Sequence, residues 1–209
     1  MTLPPDPSAD PPSDPARVYR DAIGCFATGV TVVTATGPDG PAGMTTNAVA
    51  SLSLDPRLLL VCFERRSRTL EVVRAARRFA INILRASDEE LAAVFASKAV
   101  GPQKFAAVTG HRPLSGRIDE HDGTAGRPRS GWSEEHGVPV LDRALAWIAC
   151  DLLELRPGGD HEIGIGRVLG TGAGEPGEPL VFFGGRYTTI RHDGGAGAVA
   201  PGAGPRSRD

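Results

Sequence analysis

The sequence predicts a mainly β domain: an antiparallel barrel with peripheral helices packed against its outside. Roughly six extended runs, β-branched or alternating apolar with polar residues, stand against three helical ones. The helical runs cluster early, and the late extended runs follow one another through short glycine turns. No strand is followed by a Gly-x-Gly-x-x-Gly turn that opens a helix, which argues against a doubly wound dinucleotide domain.

Residues 1–13, MTLPPDPSADPPS, are Pro-rich and carry almost no core material, so a disordered tail is expected there. Residues 193–209, DGGAGAVAPGAGPRSRD, are expected to be a second such tail, leaving one folded domain over 14–192. Asp14 caps a helix with Pro15 at its first position; Val18, Ala22, Ile23 and Phe26 share a face, and Gly29 ends it. Residues 30–35, VTVVTA, form a strand, and Pro38-Asp39-Gly40 turns the chain. A second extended segment runs from Ala42 through Asn47 and on to the break at Asp55-Pro56, and residues 58–63 make a buried strand. Ser67 caps a helix carrying Leu70, Val73 and Ala76, and residues 79–84 form the next strand. Ser87 with Glu90 reads as a capping box before a helix with Leu91, Val94 and Phe95 on its apolar face. Residues 110–137 read as a long loop, mobile or functional. A long strand over 144–155, a turn at Gly158-Gly159-Asp160, an alternating partner over 161–169 and a last strand over 180–183 complete the domain.

The 209 residues carry a formal net charge of -2, so nothing points to nucleic acid or an anionic membrane. No apolar run approaches the ~18–20 residues that cross a bilayer, and the N-terminus lacks the basic and apolar regions of a signal peptide. A cytoplasmic enzyme is expected. Cys25 and Cys150 read as small buried residues, and Cys25, Cys62 and Cys150 are too far apart to suggest a disulfide framework or a metal site. His111, His121, His136 and His192 lie in loops without partners at ligand spacing and read as solvated; no metal is expected.

Three stretches carry possible chemistry. Gly43-Met44-Thr45-Thr46-Asn47-Ala48-Val49-Ala50-Ser51-Leu52-Ser53 holds more hydroxyls and amides than a core strand tolerates. It is either a solvated edge strand or a strand offering hydrogen bonds to a flat polar ring. Cys62-Phe63-Glu64-Arg65-Arg66-Ser67-Arg68-Thr69 runs from a strand end into a helix start with three arginines and two hydroxyls. It is either a capped helix with solvated arginines or an anion site suited to a phosphate monoester. His161, at a hairpin turn, is either a loop residue or a donor at the barrel mouth. There is no nucleophile elbow, no triad order, no phosphate-binding loop and no obvious carboxylate pair.

Several blocks in series resemble a known family. Residues 26–34, FATGVTVVT, followed by Gly43-Met44-Thr45, resemble the opening of the flavin reductase-like, FMN-binding split-barrel family. Residues 51–56, SLSLDP, resemble its next block; residues 78–84, RFAINIL, and Lys104-Phe105 resemble its middle; Gly158-Gly159-Asp160-His161 and Gly185-Arg186-Tyr187 resemble its end. The resemblance runs in order from about residue 16 to 190 and is nearest to reductase components of two-component flavin-dependent monooxygenases.

That resemblance implies an antiparallel split β-barrel and a homodimer with flavin near the subunit interface. It implies an NAD(P)H:flavin oxidoreductase that passes a hydride from NADH or NADPH to FMN or FAD, with no acid or base residue. The reduced flavin would reach a partner oxygenase by diffusion. By position, Gly43 through Ala48 and Ser51, Leu52 and Ser53 would line the ring and ribityl chain, largely through backbone groups. Cys62, Phe63, Glu64, Arg65, Arg66, Ser67, Arg68 and Thr69 would form the phosphate side; Ser97, Lys98 and Phe105 would close the pocket. His161 and Tyr187 would meet the nicotinamide nucleotide. A tightly held FMN serving another acceptor, or a flavin-binding module without activity, are the alternatives. Between Phe105 and Val140 the chain exceeds the family pattern, with an extra piece around Ser115 to Glu135 that leaves the choice of nucleotide open.

Overall fold

The computed structural model describes residues 14–99, 101–109 and 131–190. The expected tails, most of the 110–137 stretch, and His111, His121 and His192 lie outside these residues.

Asp14 caps α1 (Pro15–Gly24), its carboxylate accepting a hydrogen bond from Ala16 N at 3.1 Å, with Pro15 at the start. The helix stops at Gly24, five residues short of the expected Gly29, because the chain turns into β1 (Thr28–Gly29) to pair with a late strand. Then come β2 (Thr31–Gly37), β3 (Gly40–Thr46), β4 (Val49–Leu54) and β5 (Arg57–Glu64). The polar stretch at 43–53 is thus two strands rather than one, broken at Asn47-Ala48. Ser67 caps α2 (Arg68–Ala76) by accepting from Thr69 N at 3.2 Å, and β6 (Arg78–Ile83) follows. A short 3-10 turn at Ala86–Asp88 leads to α3 (Glu89–Ala96) and then α4 (Gly101–Thr109), a helix the sequence reading omitted. The capping box falls at Arg85 and Asp88 instead of Ser87 and Glu90: Asp88 Oδ2 accepts from Arg85 N at 3.1 Å. Asp88 holds that place because its other oxygen meets Arg143, 2.8 Å away, a partner distant in sequence.

The end of the expected loop is a hairpin, β7 (Trp132–Glu135) with β8 (Val138–Leu141). The long pair β9 (Ala146–Gly158) and β10 (His161–Ala173) follows, and then β11 (Leu180–Phe183) and β12 (Arg186–Thr189). Among the described residues there are therefore more strands than the six expected, the additions being short edge and hairpin pieces.

Every pairing is antiparallel. Seven strands form one sheet in the order β3-β2-β6-β9-β10-β5-β4, and β1-β11-β12 form a small second sheet. The terminal strands β3 and β4 are joined covalently through Asn47-Ala48 but do not pair with each other. This is an antiparallel split barrel with peripheral helices.

Two core clusters explain why it stands. Val33, Leu59, Val61, Phe79, Ile81 and Leu152 meet α2 through Leu70 and Val73. Gly164 and Gly166 on β10 make room for rings: a Cβ on Gly166 would lie 2.7 Å from Phe79, and one on Gly164 2.9 Å from Phe63. The two phenylalanines then meet edge to face at 6.1 Å. On the other side of β2, Val30, Val32, Leu84, Leu91 and Phe95 pack with Phe105 and Leu141. β2 is buried along residues 31–35 because helices and hairpin cover both faces. Cys150 belongs to this interior, and its thiol is pushed up to about 12, burial first and the neighbouring Asp151 second. Cys25 does not: it is exposed, since α1 buries no residue in this chain.

Outside the barrel, Asp151 accepts from Arg78 at 3.0 Å and Arg167 at 3.2 Å. Partial burial alone would raise its pKa, but the hydrogen bonds from Arg78 and Arg167 outweigh this and hold the carboxyl below its usual range. A depressed folded value stabilises the native state above the unfolded carboxylate pKa, and the contribution is lost as pH falls through the folded value. Asp151→Asn is expected to cost about 1 kcal/mol near neutral pH, a half-exposed pair being worth no more. The difference from wild type should shrink in urea titrations as pH falls below the unfolded carboxylate value of about 3.9. A gap that persists in acid would assign the loss to packing.

Candidate functional site

Side chains alternate along a strand, and β3 uses both faces. Gly43 and Thr45 face α3. A Cβ on Gly43 would stand 2.7 Å from the Phe95 ring and 2.9 Å from Val33 O, and Thr45 Oγ1 donates to Ala92 O at 2.6 Å. Met44 meets the start of α2, where Ser67 Oγ donates to Met44 Sδ at 3.3 Å. At the end of the strand, Thr46 Oγ1 accepts from Ala48 N at 3.1 Å, and just beyond it Asn47 Nδ2 donates to Thr28 Oγ1 at 3.0 Å. Ala48 O accepts from Cys62 N at 3.0 Å. The polar stretch and the arginine-bearing helix start are therefore neighbours, tied at Met44–Ser67 and Ala48–Cys62.

On β4 the pairing slips between Ser51 and Ser53, leaving Leu52 in a bulge with its side chain half exposed. Ser51 is exposed and Ser53 half-buried. In the 62–69 stretch, Cys62 is half-buried and burial pushes its thiol up, so it stays protonated at neutral pH. Phe63 is wholly within the core, so that position offers a ligand only its backbone. Glu64, Arg65, Arg66 and Arg68 are exposed, and Thr69 is buried.

The β9–β10 turn reaches the same corner. His161 stands opposite Glu64 in register, and Arg65 N donates to Asp160 O at 3.1 Å. His161 Nδ1 lies 2.7 Å from Asp160 Oδ1; its hydrogen bond and charge hold the Asp160 carboxyl below the usual range. Tyr187 lies elsewhere, on the small sheet, edge to face with Phe182 at 5.7 Å. That sheet joins the polar stretch through Thr28, the register partner of Phe182. Burial, then the nearby Glu89, push the Tyr187 phenol up, so it remains a donor.

Ser97 and Lys98 follow the end of α3, Ser97 Oγ donating to Val94 O at 2.7 Å. Phe105 is buried, packed on Phe95 at 5.2 Å and Trp132 at 4.6 Å, as part of the core rather than an open wall. Two buried polar residues were not singled out as chemically active in the sequence: Asn82, under the β7–β8 hairpin, and Lys104, whose ammonium reaches Gly43 O. Gly101-Pro102 was the available signal for the helix carrying Lys104. A cavity of about 260 Å³ under the hairpin, with Ser133, Glu135, Asp142 and Trp147 among its walls, shares no residue with the site. Among the described residues no acidic, histidine or cysteine cluster could hold a metal, and no helix is long and apolar enough to cross a membrane.

A family model described as the flavin reductase like domain matches residues 23–191. The chain is 34% identical over 177 residues to a flavin-dependent monooxygenase reductase subunit of Mycobacterium tuberculosis, covering 83% of this chain and 82% of that protein. It is 40% identical over 153 residues, 73% of this chain, to a Rhizobium meliloti protein named "Probable flavin reductase", of whose length it spans 42%. Among solved structures, an NADH:FAD oxidoreductase of Streptomyces globisporus, in complex with NAD and FAD fragments, matches with a TM-score of 0.69 at 34% identity, over 86% of this chain and 96% of that one.

Proposed function

Since the chain belongs to the flavin reductase-like family, we propose that it is an NAD(P)H-dependent flavin reductase that takes FMN or FAD at the β3–β4 gap and supplies reduced flavin to a partner monooxygenase by diffusion. The observation carrying this reading is the placement of two unpaired sheet edges beside a capped, arginine-bearing helix start.

The donor set fits the group. A terminal strand turns backbone N–H and C=O groups outward, and a flat ring with carbonyls and an N–H along one edge needs such partners. A phosphate tail needs N–H donors and cations, and the start of α2 with exposed Arg65, Arg66 and Arg68 offers both. When bound, the flavin supplies the acceptor for a hydride from the reduced nicotinamide. The chain's own part is positioning. β3 and β4 would hold the ring through backbone groups, the Ser67 tip would hold the tail, and His161, oriented by Asp160, would meet the nucleotide with Tyr187. No side chain need move a proton.

A homodimer belongs to the same reading. Val18, Tyr19, Ile23 and Phe26 are 50–69% exposed, and Phe183 is exposed beside them, where Gly184 N donates to Gly24 O at 2.9 Å. An apolar face of that kind calls for cover by a second copy.

Steady-state oxidation of NADH and NADPH with FMN, FAD and riboflavin tests the activity. Flavin-dependent oxidation is expected, with riboflavin the weakest acceptor if the arginine tip reads phosphate. His161→Ala is expected to raise the nucleotide KM about tenfold while the flavin KM holds. Nucleotide oxidation indifferent to added flavin in a colourless protein would end the reductase reading. Flavin that survives dialysis as a yellow protein would favour a bound prosthetic group.

A further inference from the structure

Lys104 is a buried cation that the proposed reaction does not use. It lies near the start of α4, 7% exposed, and no carboxylate pairs with it among the described residues. Its ammonium donates to Phe95 O at 2.9 Å and Gly43 O at 3.4 Å, and stands 5.9 Å from the centre of the Phe95 ring. Phe95 lies in the last turn of α3, where carbonyls lack helical donors and the helix dipole favours a cation. Gly43 begins the β3 stretch that carries the proposed ring contacts.

We infer that Lys104 is a positioning residue for the flavin site, its ammonium fixing the unpaired edge of β3 against the end of α3. This rests on the flavin reading. Three links join the two elements: the Phe95 ring against Gly43, Thr45 Oγ1 on Ala92 O, and the lysine bridge. The first is a packing contact of the ring on the glycine backbone, and the second uses a β3 side chain. Of the three, the lysine is the one that hydrogen-bonds the β3 backbone, through a carbonyl of the strand whose edge would read the ring. It also grips the end of α3, which Ser97 and Lys98 follow, so one group sets the distance between the ring-binding strand and the proposed pocket wall. Burial pulls the Lys104 pKa below the usual lysine value, and the two carbonyls offset the cost of keeping the charge from water.

The test uses Lys104→Met, which keeps the length and apolar stem, with Lys104→Arg and Lys104→Gln beside it. In ligand-free protein, amide exchange over residues 40–48 is expected to rise about tenfold in the methionine variant while β6 and β9 are unchanged. FMN affinity, read by quenching of flavin fluorescence, is expected to weaken about tenfold. The NADH KM at saturating flavin should hold, and arginine should restore part of both losses. Should the methionine variant not fold, the glutamine variant, which retains a donor, carries the same comparison with a smaller shift. Exchange over 40–48 and flavin affinity both equal to wild type would overturn the inference. Wild type that binds no flavin would defeat the flavin reading instead, and the exchange result would still decide whether Lys104 holds β3.

Discussion

Replacing Asn82 with alanine is expected to cost about 3 kcal/mol and lower the melting temperature by about 8 °C. Asn82 sits in the middle of β6, fully buried. Its amide donates to Val32 O at 3.0 Å and Thr34 Oγ1 at 3.2 Å, and its carbonyl accepts from Leu141 N at 2.7 Å. Thr34 Oγ1 in turn donates to Pro139 O at 2.5 Å. One side chain thus satisfies backbone groups of β2 and of the β7–β8 hairpin, neither of which reaches water. Alanine would leave the buried Leu141 N–H without a partner and take one donor each from Val32 O and Thr34 Oγ1, the expensive half of the hydrogen-bond ledger. Leucine should do no better, because filling the space does not answer the polar groups. Thermal unfolding measures it, and a fall of less than ~2 °C would mean that water takes over the amide's role.

Gly43→Val is expected to damage the site more than any surface change, weakening flavin binding well over tenfold and costing about 2 kcal/mol or more. The reason is space, not backbone freedom. A Cβ there meets the Phe95 ring at 2.7 Å on one side and the Val33 carbonyl at 2.9 Å on another. The ring cannot retreat, since Phe105 and Trp132 hold it with centroids 5.2 and 5.7 Å away. β3 must then lift from α3, carrying the proposed ring-binding edge with it. A double-mutant cycle with Phe95→Leu should reveal the collision: the second change should recover ~1 kcal/mol or more of what the first loses. Strict additivity would place the damage elsewhere.

How much of this was legible in the sequence depended on how local the cause was. The caps at Asp14 and Ser67 were readable because a side chain bonds its own helix start. The β-branched run at 30–35 and the β9–β10 pair were readable because period and turn chemistry are local. The capping box was misplaced because Asp88 is fixed by Arg143, more than fifty residues on. Residues 132–137 of the hairpin read as loop because their sequence is mostly polar, and its partners on the sheet beneath, Thr34, Arg78 and Asn82, are distant in sequence. Cys25 read as buried because a free cysteine is usually a small core residue, yet among the described residues nothing buries α1, the helix it follows. At the proposed site, the residue types pointed to two stretches that the fold makes neighbours, but which way each side chain faces depends on where α3 docks. Thr45 therefore spends its hydroxyl on Ala92 instead of facing Ser67.

A sheet that stops short of closing is exposed to recruitment by stray chains, since a terminal strand invites any extended peptide to extend it. Here both ends are spoiled as templates. On β4 the bulge at Leu52 breaks the even spacing an incoming strand would need. The start of β3 is covered by α4, where Gly101 lies so near Pro41 that a Cβ would come within 2.4 Å of its carbonyl oxygen. Among the described residues, those two devices leave open only a short span around Asn47, where β3 gives way to β4.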